Sequence, residues 1–422
     1  MLAVKQPPLK LKDAAPLALA GLLVLAALVG LFFLNRWLAE RFPPGEDFLA
    51  PWLGARAFLF ERTDPYGGTV AAKVQAEVYG RLARSTEFPY ALDVPFPILL
   101  FYFPFALISD VNSARAAWML VSELALIGVI PLTLNLIEWR PRPLFYAALL
   151  LSPFASYYGA TALLSGSAAP LLVALLALAV LLLQYGNDEG AGVLLALTAF
   201  HWEATLLLWA FLAVGIYLTR RWRVAAGFSM TQIVIGGIAF LVYPDWVWPF
   251  LRAVTANLRA EDTLTLTVLF TRWWPEYGAR LALGAIAFLL IVLFVEWAGA
   301  LRGDLKRFVW AMCLSLAVTP LIGFSATFAN LSALLFALPV IAHLAWERWG
   351  RNGYLAASLF LLLFFALPIF LRWYFADDRN LADGLTFLAI PLLTILSLYW
   401  VRWWAVRPPS TWLDEARREL RK

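Results

Sequence analysis

The amino-acid sequence predicts an all-α integral membrane protein, a bundle of about twelve transmembrane helices with amphipathic juxtamembrane helices in its loops. Three observations carry that prediction. Of 422 residues, 62% are hydrophobic and only 14% charged, where soluble domains carry roughly 25% charged residues. Apolar runs recur along the whole chain, and inside lipid only closed helices satisfy every backbone N–H and C=O. Twenty Trp and 31 Phe suit the aromatic belts found at bilayer interfaces.

A spanning helix needs about 20 apolar residues. The runs that approach this are Ala14–Leu34, Ala114–Ile137, Pro143–Tyr158, Ala168–Gln184, Ala191–Phe200, Ala204–Leu218, Val224–Val242, Arg280–Trp297, Phe308–Phe324, Leu331–Trp346, Tyr354–Leu371 and Leu385–Val401. No small-residue cleavage site clearly follows the first run, so it is expected to stay as a span rather than be removed as a signal. Basic residues fall before the first run (Lys5, Lys10, Lys12), in WRPRP, RRWR, LRGDLKR and ERWGRNG, and in the tail. Twelve spans with both termini cytoplasmic put all of them on one side, as the positive-inside rule requires. The expected location is the plasma (inner) membrane. The loop QYGNDEG falls on that side without any Lys or Arg.

The chain then reads as one polytopic domain over 1–422 with two large outer loops, 35–113 and 243–279. Within the first, Phe48–Glu61 and Ala71–Arg84 read as amphipathic surface helices. Pro95–Ile108 (PFPILLFYFPFALI) is apolar, too short to cross and interrupted by proline. It is expected to lie at, or dip into, the outer leaflet. Trp246–Arg259 alternates Trp, Phe and Leu with Arg, as an interfacial helix does.

Composition also narrows the chemistry. Cys313 is the one cysteine, which excludes an internal disulfide and a cysteine metal site. With only His201 and His343, a His-rich metal site is not expected. No Asp-x-Asp motif stands near Asp47, so no bound metal and no cofactor are expected. The net charge of +5 reflects inner-loop basic residues and does not point to nucleic acid. A monomer among membrane lipids is the expected state.

Glu46 and Asp47 follow the first span directly, in FPPGEDFLAPW. Two functions suit them. They can start a helix at Phe48, where negative charge is favourable, or a carboxylate there can act as general base on a hydroxyl at the membrane surface. Other candidates on the same side are Arg56, Tyr66, Asp93, Arg115, His201, Glu203, Arg272 and Trp273. The arginines equally suit interfacial snorkelling, His201 with Glu203 equally suits helix capping, and solvation suits Asp93. Asp64 starts an Asp-Pro turn, and Asp377, Asp378 and Asp383 read as a solvated acidic loop.

From Gly45 the stretch GEDFLAPWLGARAFLFERTDPYGG resembles the first outer loop of glycosyltransferase family 87, of the GT-C class. That family shows an Asp and an aromatic, an Ala-rich helix and a Pro-Tyr, here Asp47, Phe48, Ala55, Arg56, Ala57, Pro65 and Tyr66. FPYALDVPFPILLFYFPFALISDVNSARAAW is similar to its Tyr-Pro-Pro segment, Pro-terminated helix and following Trp. LLSGSAAPLL through HWEATLLL resembles its Gly-Gln helix, polar turn and Ala-Gly helix, and EDTLTLTVLFTRWW a later Arg-bearing loop. The chain departs at Val94-Pro95-Phe96, at Gly166-Ser167, at His201-Trp202-Glu203 in place of a lysine, and at FSATFAN, which lacks a His.

The resemblance implies transfer of a hexose, mannose above all, from a polyprenyl-phosphate sugar to a glycolipid, polysaccharide or protein acceptor on the outer face. It makes Asp47 the base of an inverting direct displacement. A cation would stabilise the departing lipid phosphate, and Arg56, Arg115, Arg272 and His201 are the candidates, with Trp273 beside Arg272 as an aromatic face for sugar. The alternatives are a twelve-helix secondary transporter or a non-catalytic scaffold in envelope assembly. Against the transporter, the two halves of the chain are dissimilar and mid-span ionisable residues are few, Glu123 and Glu296 being the main ones.

Overall fold

The computed structural model describes residues 11–84, 87–260, 266–323 and 327–406, and among these residues it contains helices and no strands. α1 (Leu11–Arg41) leads into α2 (Glu46–Arg56), a π-type turn (Ala57–Glu61), α3 (Gly68–Tyr79) and α4 (Phe96–Ala106). Then come α5 (Val111–Leu136), α6 (Pro143–Ala155) and α7 (Tyr157–Ser165), followed by α8 (Ala169–Gln184) and α9 (Asp188–Thr198). A 3-10 turn (Ala199–Ala204) connects to α10 (Leu206–Leu218), α11 (Trp222–Val242), α12 (Val247–Ala260), α13 (Leu266–Trp273) and α14 (Gly278–Ala300). α15 (Leu305–Val318) runs into the 3-10 segments Thr319–Ile322 and Ala329–Phe336, and α16 (Ala337–Trp349), α17 (Gly353–Tyr374), α18 (Arg379–Trp400) and α19 (Arg402–Ala405) close the described chain.

Local chemistry explains several boundaries. The side chains of Asp110, Ser156, Asn187, Asp304 and Asp378 each accept a backbone N–H in the first turn of the helix that follows, as good N-cap residues do. Gly80 and Gly166 end α3 and α7 at φ +68° and +73°, a conformation that costs a residue with a Cβ but not glycine.

Among the described residues, seven helical stretches are long and apolar enough to cross a bilayer, eight if α6 and α7, bent by 49° at Ser156, form one span. This is a multi-pass membrane protein. α1 is apolar around its whole circumference and largely unburied by protein (Leu22 and Leu23 are each 63% exposed), which is the signature of a lipid-facing helix. One of the seven stretches, Ala329–Tyr374, reverses within itself. A Cβ on Gly353 would stand 2.4 Å from the Ala345 carbonyl, whereas eight residues of straight helix would separate them by about 12 Å. A helix occupies each of the twelve apolar runs in the sequence, but not all have the length to cross. The 11 residues of α9 rise about 16 Å against a hydrocarbon core of about 30 Å.

Buried apolar residues form two clusters. The larger fills the bundle around α5, α8, α10, α15, α16 and α18. The smaller joins α2, α3 and α4 to the start of α5 and is rich in aromatic rings: Phe48, Trp52, Phe96, Tyr102 and Trp118. The segment between α1 and α5 is therefore a folded unit with its own core. This corrects the expectation of an amphipathic surface helix over Phe48–Glu61. Phe48, Leu49, Ala50, Pro51, Trp52, Gly54 and Ala55 are all buried, and the helix is enclosed on most sides. Its apolar spacing is too dense for a surface helix, and α4 covers the face that would otherwise meet water. At 11 residues, α4 is too short to cross, as expected.

α9 and α11 approach through glycines. A Cβ on Gly192 would stand 2.2 Å from the Val224 carbonyl, and one on Gly227 2.5 Å from that of Glu189. Close backbone approach through small residues is a main source of helix association in lipid. Gly192→Val should force the pair apart and cost about 2 kcal/mol, read as a lowered unfolding temperature in detergent. Gly237→Ala on α11, where a Cβ meets nothing within 4 Å, should be neutral or slightly stabilising in the same assay.

Candidate active site

Asp47 is the second residue of α2, and its position is fixed by what lies on either side. Gly45 precedes it with no room for a side chain. A Cβ there would stand 2.8 Å from the Ser165 carbonyl, 3.0 Å from that of Leu164 and 3.0 Å from Arg115 Nε. The chain entering α2 thus rests on the C-terminal turn of α7. Phe48, which follows, is buried against Gly166, where a Cβ would come within 2.5 Å of the Phe48 Cβ. Between these contacts the Asp47 side chain meets Ser165, whose Oγ donates to Oδ2 at 2.8 Å.

α5 holds this junction from beneath. Arg115 is 2% exposed. Its guanidinium donates to Leu164 O at the end of α7 and to Ala39 O and Phe42 O at the end of α1, the last two at 3.4 and 3.5 Å. One planar fork with several donors can cap two helix C-termini at once, where positive charge is also favoured. One turn further along, Trp118 Nε1 donates to Gly166 O at 2.8 Å. Arg115, expected as a possible phosphate ligand, is instead buried and committed to main-chain carbonyls.

A rim of carboxylates and phenols gathers along the loops that follow α2, beginning beside Asp47 at Glu46. Tyr90 donates to Glu46 Oε2 at 2.9 Å. Tyr66 donates to Val94 O at 2.9 Å, while its backbone N–H donates to Asp64. Tyr243 donates to Asp64 at 3.1 Å. Burial pushes the Tyr66 phenol up, with Tyr243, Asp64 and Asp93 adding to the effect. Burial and then Glu46 do the same to Tyr90. Tyr243 is pushed up to about 12 by burial and Asp64. These phenols therefore stay protonated at ordinary pH and act as donors. Tyr102, stacked on Trp118 at 4.7 Å, is raised by burial first and then by the charges of Asp47 and Asp93.

Asp93 itself is tied to the second large loop. Asn257 on α12 is buried; its Nδ2 donates to Asp93 Oδ2 at 2.8 Å and to Ala91 O at 2.9 Å, and its Oδ1 accepts from Ala91 N at 3.2 Å. The expectation that Asp93 is merely solvated is corrected: it is exposed on one side and staples two distant loops on the other.

The remaining candidates separate. Arg56 donates to Ala106 O at 2.9 Å and to Ile108 O at 3.4 Å, so it caps α4 rather than facing Asp47. Arg272 pairs with Asp378, and Trp273 stands exposed beside Trp274, so both belong to a corner made by α13 and the start of α18. The acidic loop is not simply solvated. Asp378 caps α18 and takes Arg272, and the Leu381 N–H, then Arg272, hold its carboxyl below the usual carboxylate range. Asp383 pairs with Arg372 at 2.7 Å. Glu203 is half-buried in the turn Ala199–Ala204, and the side chain of His201 lies outside the described residues.

Sequence reasoning missed Ser165, Tyr90, Tyr102, Asn257 and Arg372. Only Ser165 carried a signal, since it opens the polar turn SGS between two apolar helices. Arg372 sits 5.1 Å over the Tyr157 ring and 5.6 Å over that of Phe328, a contact set no local spacing reveals. Among the described residues no three His, Cys, Asp or Glu side chains gather as a metal-holding group. No protein-family model matches the chain, and no curated protein matches it.

An exposed carboxylate at a helix start, fixed by a hydroxyl and set beside protonated phenols, is suited to take a proton from a hydroxyl group brought to it. The rim depends on the Asn257 staple. Asn257→Leu should leave the bundle intact but raise amide hydrogen exchange across residues 90–94 about tenfold or more, the equivalent of losing hydrogen bonds of about 1 kcal/mol each.

Proposed function

We propose that this protein is a membrane glycosyltransferase of the GT-C type, related in mechanism to family 87, that transfers a hexose, most simply mannose, from a polyprenyl-phosphate donor to a lipid or glycan acceptor. One observation carries the reading. Three stretches that each resemble the family, and that are far apart in sequence, meet around Asp47: Gly45–Tyr66, the segment from Tyr90 to Trp118, and the turn Leu164–Gly166.

In this reading Asp47 accepts the proton of the acceptor hydroxyl as that oxygen attacks the anomeric carbon. The bond from that carbon to the lipid phosphate oxygen breaks, the phosphate leaves as an anion, and configuration inverts. The half-buried rings of Tyr66 and Tyr90, whose hydroxyl protons are given to Val94 O and Glu46, supply an aromatic wall for a sugar. Arg56 and Arg115 are committed to carbonyls, so stabilising the leaving phosphate falls to a half-exposed arginine. Arg272, which would exchange Asp378 for phosphate, is the candidate, with the aromatic faces of Trp273 and Trp274 beside it.

The reading also specifies a topology of twelve spans, with the short α6–α7 and α8–α10 segments counted as crossings, both termini cytoplasmic and Asp47 on the outer face of the plasma membrane. It rests on the basic loops 138–142, 219–223, 301–307 and 347–351.

Two experiments test the proposal. Purified protein in nanodiscs, given radiolabelled polyprenyl-phosphate-mannose and membrane lipids, should transfer label, and Asp47→Asn should lose about 10²- to 10⁴-fold of that rate with folding intact; equal transfer by the two forms would remove Asp47 from the chemistry. In intact cells, a cysteine placed at Thr69 should react with a membrane-impermeant maleimide and one at Arg351 should not, against a background in which Cys313 is buried. The reverse pattern would invert the topology.

A further inference from the structure

We propose that Ser165 is a positioning residue for Asp47: its hydroxyl, held rigidly by α5, orients the carboxylate and favours its ionised form. The inference rests on the catalytic reading above. It starts from a hydrogen bond between residues 118 apart in sequence, Ser165 Oγ to Asp47 Oδ2 at 2.8 Å.

That bond alone would be ordinary. What distinguishes it is how little freedom Ser165 has. The residue before it, Leu164, has its carbonyl taken by the buried Arg115 guanidinium. The residue after it, Gly166, has its carbonyl taken by Trp118 Nε1. Gly166 is in the left-handed region at φ +73° and is pressed against Phe48. Both neighbours of Ser165 are thus fixed by one turn of α5, and both neighbours of Asp47's helix start, Gly45 and Phe48, are packed on the same three residues. Donor and acceptor are built on a common support, so the bond does not depend on a flexible loop finding its partner. Functional groups need this kind of supported placement to hold a productive geometry.

The chemistry follows from the direction of the bond. A hydroxyl donating to a carboxylate stabilises the charged form and not the protonated one. It also occupies a lone pair on Oδ2, which fixes how the carboxylate presents itself to an incoming hydroxyl. Loss of the donor therefore has two consequences that loss of packing does not: the acid limb of the pH–rate profile moves to higher pH, and kcat falls while KM holds.

The test compares wild type, Ser165→Ala, Ser165→Thr and Ser165→Cys in nanodiscs. Ser165→Ala should lower kcat about tenfold, the usual order for one hydrogen bond to a charged group, with KM unchanged and the acid limb displaced upward. Ser165→Thr, which keeps the donor, should restore both. Ser165→Cys, a weak donor of similar size, should fall between and serves if the alanine form does not accumulate. An infrared titration of the Asp47 carboxylate, assigned by difference from Asp47→Asn, reads the same shift without turnover. Unchanged kcat and an unchanged titration in Ser165→Ala overturn the positioning role while leaving the transferase reading intact if Asp47→Asn is inactive. Undiminished transfer by Asp47→Asn removes the transferase reading instead, and the infrared shift then still decides whether Ser165 governs the carboxylate.

Discussion

The loop-rich end of this molecule depends on one buried guanidinium. Arg115 reaches carbonyls at the ends of α1 and α7 from the first turns of α5. A charge taken out of water is costly unless its donors are used, and here several are. The bonds run to main chain rather than to a carboxylate, so the residue fixes three helices without depending on another titratable side chain. Gly45 and Gly166 are glycines because of what this junction brings together: one lies against Arg115 and the α7 carbonyls, the other against Phe48. The first turn of α2, and with it Asp47, has nowhere else to go.

The second organising feature is the division of the apolar interior. The bundle has the aliphatic core of a membrane protein, whereas α2 to α4 enclose an aromatic core continuous with the start of α5. In that smaller core Tyr102 stacks on Trp118, and Phe48 and Phe105 meet Trp118 at 5.9 and 5.2 Å. Aromatic rings bury large areas with few torsions to fix, which suits a unit of modest size that must hold a rim of polar groups steady at a membrane surface. The polar rim is then attached to a preformed base rather than making it.

Much of this was legible in the sequence. Apolar runs and the Pro-interrupted segment before α5 announced the helices and the short α4. Asp47 stood out because it follows a span immediately. What escaped were the relations between distant residues. Ser165 and Asn257 are ordinary polar residues in local context, and only their partners, 118 and 164 positions away, give them a role. The arginines illustrate the opposite error. Arg56, Arg115 and Arg272 read alike in sequence, yet two are used up on carbonyls and one on Asp378. Local spacing records the presence of a charge and not how it is neutralised. The acidic loop was misread for the same reason: Asp378 is paired by Arg272, 106 positions upstream, and Asp383 by Arg372, which is itself packed on the rings of Tyr157 and Phe328.

The Asn257 staple has a consequence for biogenesis. The segment around Asp93 cannot complete its hydrogen bonds until residues 164 positions later have been made. At about 5–20 residues per second, that leaves an interval on the order of ten to thirty seconds in which the first loop exists without its clasp. Assembly of the rim is therefore ordered in time by the ribosome. Most of the aromatic rings of the smaller core come from the first 118 residues, the end of α7, Ala168 and Ala239 are added later, and α12 then fastens the rim to it.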